Sequence, residues 1–373
     1  MAEVVIVGGG VIGCAVAFHL ARGGMTDIVL LERARLASGV TGICPGGIRQ
    51  QFEGEADCRL AQRAVSFFDN IDQILEAEHP FTFEKSGYLF LADSDAVLDA
   101  YRRNVAMQNR LGIPSEIVTA DDIARLLPAL RIEGIRGGAF CAEDGFIEDC
   151  HGVTYALASR ARDRGARVAY EEVVSLQRQD QHWAVITKGE TFRAEHVVLA
   201  AGVDSVPLAA GAGVLLPIQA ERRRLVYSAP AERGQLNPLV VAPERGFAGK
   251  QLTSGVLYMG WLRETAADDD LTFIEKTLEA GVTLLPELAE LPVRRVLGGL
   301  YDSTPDHRPL LGPVSGIPGL HLAVGFSGHG FMIAPAVAEI VAAGITGAST
   351  DLPASAFSLE RFSKIVADEG LVI

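Results

Sequence analysis

Five cysteines in 373 residues are too few for a disulfide framework. Cys14, Cys44, Cys58, Cys141 and Cys150 are odd in number and lack a CxxC spacing, which predicts reduced thiols in a cytoplasmic protein. Basic residues are also short: 33 Lys and Arg face 47 Asp and Glu. The resulting net charge of −14 argues against nucleic acid as the main partner, although a local basic patch can hide in an acidic total. No run approaches the ~20 apolar residues of a transmembrane segment. The apolar stretch from Val4 to Leu20 lacks a basic flank and is broken by Gly8, Gly9, Gly10 and Gly13, so it does not read as a signal peptide. The eight histidines are dispersed and suggest no metal site. What is plentiful is apolar residue (49%) and glycine (40 residues), which excludes disorder and predicts well-filled cores. The length suggests two domains.

Much of the glycine lies in short runs, and the first is at the amino terminus. Val4-Val5-Ile6-Val7 reads as a buried parallel strand, Gly8-Gly9-Gly10-Val11-Ile12-Gly13 follows, and Cys14 to Arg22 looks helical. In such a unit Gly8 permits the tight turn, Gly10 lets the backbone approach a pyrophosphate, and Gly13 allows close helix–strand packing. Val11 and Ile12 belong to the turn leading into the helix N-terminus, where free N–H groups favour an anion. The next strand, Ile28-Val29-Leu30-Leu31, ends in Glu32, nineteen residues after Gly13. An acid there suits a ribose hydroxyl. Strand, helix, strand and acid in register point to dinucleotide binding rather than a structural glycine turn.

That motif leaves NAD and FAD both open. After Glu32-Arg33 the chain enters Ala37-Ser38-Gly39-Val40-Thr41-Gly42 and then Cys44-Pro45-Gly46-Gly47-Ile48-Arg49, instead of another strand and helix. Hydroxyls at Ser38 and Thr41 among glycines suit an extended ligand lying along the backbone, and an ordinary surface loop fits this stretch equally.

Two later segments carry more weight: Gly299-Leu300-Tyr301-Asp302-Ser303-Thr304-Pro305-Asp306 and Gly325-Phe326-Ser327-Gly328-His329-Gly330-Phe331-Met332. With the amino-terminal motif they make the chain resemble the D-amino-acid oxidase superfamily of flavoproteins. Within it the chain is most similar to the branch holding sarcosine oxidases, glycine oxidase and the β subunits of sarcosine oxidase and proline dehydrogenase. The resemblance spans nearly the whole chain and is weakest between residues 80 and 145. It implies non-covalent FAD, with Val173-Val174 resembling the backbone site for adenine and the strand Val197-Val198-Leu199-Ala200-Ala201-Gly202 resembling a second contact. The last segment also has a physical reading. His321 to Val324 is strand-like and Ile333 to Ala343 is an alanine-rich helix, so the turn Ser327 to Met332 would aim N–H groups at the flavin edge that gains negative charge on reduction.

The fold implied is α/β plus α+β: a Rossmann-type FAD domain of residues 1–80, 146–212 and 300–373, interleaved with an antiparallel-sheet substrate domain of 81–145 and 213–299. Segments 225–227 and 256–261 look like antiparallel strands. Asp144 to Glu148 begins a stretch leading to a helix at about 152–164. Asp268-Asp269-Asp270 reads as a solvated cap before a helix over 271–284.

Arg49 resembles the arginine that pairs with a substrate carboxylate in monomeric sarcosine oxidases, and a guanidinium fork matches a carboxylate well. A surface or domain-bridging ion pair is the alternative. Tyr258 and Trp261 suggest an aromatic wall or simple core, and His329 a group that orients substrate or flavin. The covalent flavin cysteine of monomeric sarcosine oxidase falls at Gly299, its oxygen-activating lysine at Tyr258 and its carboxylate-binding lysine at Met332. Oxidase and dehydrogenase therefore both stay open.

The function expected is FAD-dependent oxidation of the C–N bond of an amino acid, secondary or N-methyl like sarcosine or proline. Hydride would pass to flavin N5, and electrons would return to dioxygen or an electron-acceptor protein. The alternatives are a catalytic β-like subunit of a hetero-oligomeric amine dehydrogenase, a non-catalytic FAD-binding protein and, remotely, an NAD-binding reductase.

Overall fold

The computed structural model describes residues 1–232 and 234–362; the expected domain segment 300–373 thus ends partly outside the described residues. Two eight-stranded sheets organise the chain. At the centre of the first is Ala2–Val7, flanked by the parallel strands Ile28–Leu31 and Thr191–Leu199. Arg167–Ala169 and Leu320–Val324 extend the sheet in parallel, and Leu310–Pro313 closes one edge antiparallel. A hairpin, Val173–Gln179 and His182–Thr187, adds to the flank of Thr191–Leu199.

The apolar runs explain why this sheet is covered on both faces. Val4 and Ile6 join Ile28 and Leu30 in one core, while Val5, Val7, Val29 and Leu31 join a second core on the opposite face. The first core is roofed by helices Val11–Arg22, Glu55–Phe68, Cys150–Asp163 and Gly330–Thr346. Burial of each large aliphatic side chain contributes roughly 1.5–3 kcal/mol. Elements far apart in sequence meet here, because the first helix packs along Gly330–Thr346.

In the second sheet the order is 293–303, 219–230, 256–261, 247–251, 239–242, 88–92, 137–141 and 115–118. All its pairs are antiparallel except Leu239–Ala242 beside Tyr88–Ala92. Helix Asp270–Val282 covers one face, packing Phe273 with Leu257, Met259 and Phe247. A two-residue ladder, Gly47–Ile48 against Gly145–Phe146, ties the amino-terminal loop to the chain that leaves this sheet. A parallel sheet and a largely antiparallel one, built from interleaved stretches, is the mixed architecture expected.

Several boundaries differ from the sequence reading. The first helix starts at Val11, not Cys14, so Gly13 lies inside it; a Cβ there would sit 2.0 Å from the Gly8 carbonyl oxygen. The last helix runs Gly330–Thr346 and carries Pro335 inside it. The strand expected to reach Gly202 ends at Leu199, and Gly202–Asp204 forms a 3-10 turn. The acidic triplet is not simply solvated. Asp269 caps the helix by accepting from the Thr272 N–H, Asp268 is buried against Lys276, and Asp270 pairs with the buried Arg224.

Candidate active site

Register places one set of groups along a single edge of the first sheet. Val7 is level with Leu31 and Leu199, so Gly8, Glu32 and Ala200-Ala201 all follow at the carboxyl ends of neighbouring strands. In an open parallel sheet that edge is where ligands bind. Gly8 has φ +114°, and a Cβ on it would lie 2.4 Å from the Ala200 carbonyl oxygen, so only glycine fits. Gly10 is the N-cap of the first helix, without a side-chain cap or an acid in the first turn. The Thr41 hydroxyl accepts from the Val11 N–H at 3.1 Å, which sets the 38–42 loop over that helix terminus. Ile12 approaches Gly330, so the termini of the first and last helices lie together.

The acid after the second strand is also placed. Glu32 accepts from the Gly9 and Ala34 N–H groups, each at 2.8 Å. Arg33 pairs with Asp204 at 3.0 Å, and Ala201 donates to Ser205. Gly202 has φ +56° with open space around its α-carbon. Val173 and Ala201 flank the same apolar cluster, while Val174 is exposed. Ser38 and Gly39 are exposed and Gly42 is half-buried beside His151. Gly47 passes Tyr88 closely, and Ile48 is fully buried.

The carboxyl-terminal turn is held by a residue the sequence reading gave no role. Asp302 accepts from the Gly325 N–H at 2.6 Å, and its carbonyl accepts from Ser327. Burial pushes its carboxyl up to about 6. Gly328 has φ +89° and lies under the Tyr301 ring, where a Cβ would come within 2.3 Å. Gly299 lets Ile43 approach, so that position is filled by the 40–43 turn. Phe331 stacks on Phe68, and Met332 is buried in the first core. Their side chains pack inward, so what this helix terminus offers a ligand is backbone N–H, with no side-chain cap at His329.

A cavity of about 860 Å³ reaches His329 at the start of the last helix and is lined also by Arg49, Gln51, Phe52, Phe90, Tyr101 and Gln108. The Arg49 guanidinium lies 4.0 Å from the centre of the Phe52 ring and donates to the Gln51 carbonyl and to His329 Nε2, the latter at 3.1 Å. Arginine only donates, so Nε2 is an acceptor and the imidazole is neutral with its proton on Nδ1. Burial, then the Arg49 charge, holds His329 down to about 3. Burial lowers Arg49 as well. No carboxylate among the described residues makes an ion pair with Arg49. The nearest acid behind it, Asp144, is fully buried and accepts from the Gln50 N–H at 2.9 Å and Gln51 Nε2 at 3.0 Å. Asp144 thus fixes the segment that orients Arg49, and burial pushes its own carboxyl up to about 6.

Tyr258 does not line this cavity. Its ring lies 4.0 Å from Tyr227 on the second sheet, and Trp261 packs over Gly246. The aromatic wall comes from Phe52, Phe90 and Tyr101. Only the alternation in Tyr88-Leu89-Phe90 signalled them, since the remainder are brought in from separate elements.

The residues present fit a dinucleotide: two helix termini brought together at one sheet edge, an acid after the second strand, and glycines where a Cβ would strike neighbouring protein atoms. Comparison with known proteins agrees. The family model described as FAD dependent oxidoreductase (DAO) matches residues 3–344. Among curated relatives, 4-methylaminobutanoate oxidase (formaldehyde-forming) of Paenarthrobacter nicotinovorans is 28% identical over 96% of this chain and 45% of its own length. Mitochondrial dimethylglycine dehydrogenase of Mus musculus is 27% identical over 91% of this chain and 42% of its own. The chain therefore spans less than half the length of these relatives. Among solved structures, L-proline dehydrogenase from P. horikoshii superposes with TM-score 0.91 at 30% identity, covering 97% of this chain and 98% of that one. Glycine oxidase from Geobacillus kaustophilus shares the fold, with TM-score 0.87 at 24% identity over 96% and 98%. The chain belongs to the DAO family of FAD-dependent oxidoreductases.

Proposed function

We propose that this chain oxidises the carbon–nitrogen bond of a secondary or N-methyl amino acid. The observation that carries the reading is Arg49: a guanidinium fork at the cavity wall, fixed from behind and without a carboxylate partner among the described residues. An incoming carboxylate would complete it with two parallel charge-assisted hydrogen bonds. The names of the similar proteins, which speak of dimethylglycine, 4-methylaminobutanoate and L-proline, support an N-substituted amino acid.

Bound FAD supplies the acceptor for the hydride leaving the carbon next to nitrogen. The backbone at Gly8 to Gly13, Glu32, Thr41, Ala201 and the N–H groups at Gly330 to Met332 would hold it. Gly299 offers no nucleophile at the position of the family's covalent tether, so non-covalent attachment is the expectation, and acid precipitation should release the flavin. Arg49 anchors the substrate carboxylate, and Phe52, Phe90 and Tyr101 exclude water from the apolar side. His329, neutral above about pH 3, takes a hydrogen bond from Arg49 and adds no second cation beside it. No residue need act as base at the carbon, because the amine enters deprotonated and positioning supplies the rest. The resulting imine would be hydrolysed by water.

Anaerobic addition of N-methyl, cyclic secondary, D- and L-amino acids to FAD-loaded protein tests this. Bleaching by the N-methyl or cyclic members is the expected result; bleaching by none, or by primary amino acids alone, would overturn it. A second reading is a catalytic subunit that needs a partner chain. It gains support if substrate bleaches the flavin but dioxygen does not restore its colour.

A further inference from the structure

Outside the cavity, the clearest unassigned chemistry is a pair of thiols. Cys44 follows the turn Val40–Ile43 that carries Thr41, and Cys150 opens the helix Cys150–Asp163. Cys150 Sγ lies 3.6 Å from the Cys44 carbonyl oxygen, which sets the two residues side by side. The Gly46 N–H donates to Cys44 Sγ at 3.3 Å. A backbone donor aimed at that sulfur favours its thiolate. Cys44 is half-buried and Cys150 is buried.

A cation is at hand. Lys250 is 2% exposed, and its Nζ has no hydrogen-bond partner. It lies 3.8 Å from the centre of the Phe146 ring, in the ladder strand that holds the Gly47–Ile48 loop. Burial draws its ammonium down to about 8, while Cys150, Cys44 and Glu148 oppose that shift. A buried ammonium without a partner is costly, and a thiolate at Cys44 would offset it. The neighbouring Cys150 thiol is the largest cause holding Cys44 below the ordinary thiol value, and Cys44 in turn raises Cys150. Cys14, Cys58 and Cys141 are buried and shifted the other way by that burial.

We propose that Cys44 and Cys150 form a hydroperoxide-reactive dithiol, with Cys44 as the attacking sulfur, Cys150 as the resolving sulfur and Lys250 as the counter-charge. The Cys44 thiolate attacks the terminal oxygen of a hydroperoxide, breaking the O–O bond and releasing water or an alcohol after protonation. Cys150 then attacks the sulfenic sulfur; its proton leaves with the sulfenic oxygen as water, and an S–S bond forms. The two sulfurs lose two electrons, which reduce the O–O bond. The disulfide ties the loop bearing Thr41 and leading to Arg49 onto the helix Cys150–Asp163, so oxidation restrains the segment that faces both cofactor and substrate.

The test uses the full FAD-loaded chain and equimolar hydrogen peroxide, followed by thiol counting after denaturation. Two of the five thiols should disappear, a non-reducing peptide map should join Cys44 to Cys150, and dithiothreitol should restore both. Cys44→Ser should lose neither, and Cys150→Ser should stop at a sulfenic acid on Cys44 that dimedone traps. Lys250→Met should slow thiol loss by about tenfold or more. Since that variant can cost folding, the unsubstituted chain supplies a second reading: iodoacetamide at pH 7 should alkylate Cys44 about tenfold faster than any other cysteine. Five surviving thiols, a linkage between other cysteines, or alkylation at equal rates would each overturn the proposal.

Discussion

The cofactor edge and the substrate cavity adjoin, yet they are built by different means. Along the edge of the first sheet nearly every contact on offer is backbone, and the decisive residues are those that lack a side chain: Gly8, Gly10, Gly13 and Gly328. In the cavity the decisive residues are long side chains, Arg49, His329, Phe52 and Phe90, converging from separate elements. A backbone site tolerates no added atoms. A side-chain site tolerates exchange but depends on what stands behind each group, as Asp144 does for Arg49.

Substitutions that strike one region and spare the other would sharpen this contrast. The largest effect is expected from Gly8→Val, whose Cβ would overlap the Ala200 carbonyl at a φ that valine avoids. The cost of several kcal/mol should cut flavin retention by roughly a hundredfold or more, read as the flavin-to-protein ratio after dialysis. Retention at the natural level would show that the turn yields.

The next effect is on stability. Asp144 and Asp302 are pushed from 3.8 up to about 6 in the folded chain. Between those values the folded state holds protons that the unfolded state has released, so each costs stability as pH rises through about 4 to 6. Asp302→Asn can still accept from Gly325 and removes one such group. Urea unfolding should show it gaining on the order of 1–3 kcal/mol over the natural chain between pH 4 and 7. A constant difference across that range would contradict the burial assigned to Asp302.

The smallest effect concerns His329. Removing its hydrogen bond to Arg49 through His329→Asn should lower kcat/KM by up to about tenfold. Because His329 is already neutral above about pH 3, the apparent pKa values of the pH profile between 5 and 9 should not move. Loss of a limb near neutrality would make His329 a titrating participant.

This contrast also explains what could be read from sequence. The cofactor edge follows from local spacing: a β-branched run, glycines at fixed offsets and an acid ending the next strand all lie between residues 4 and 32. The cavity depends on pairings between distant residues. Nothing near Asp144 in sequence says that it accepts from Gln50 and Gln51, and nothing near Asp302 says that it holds Gly325. Lys250 carries no local signal either, being a lone lysine inside a strand whose burial only the facing Phe146 reveals. The site position at Tyr258 was drawn from resemblance, and the structure sets that ring against Tyr227, away from the cavity.

The role of Arg49 as carboxylate anchor is tested most directly by anaerobic flavin bleaching with a substrate amino acid and its decarboxylated amine, using the natural chain and Arg49→Met. The amino acid should bleach the natural chain far faster than the amine, by a factor on the order of 30 to 1000 for 2–4 kcal/mol of paired charge, and Arg49→Met should keep its FAD while losing that preference. Equal rates with amine and amino acid in the natural chain, or an undiminished preference in Arg49→Met, would contradict it.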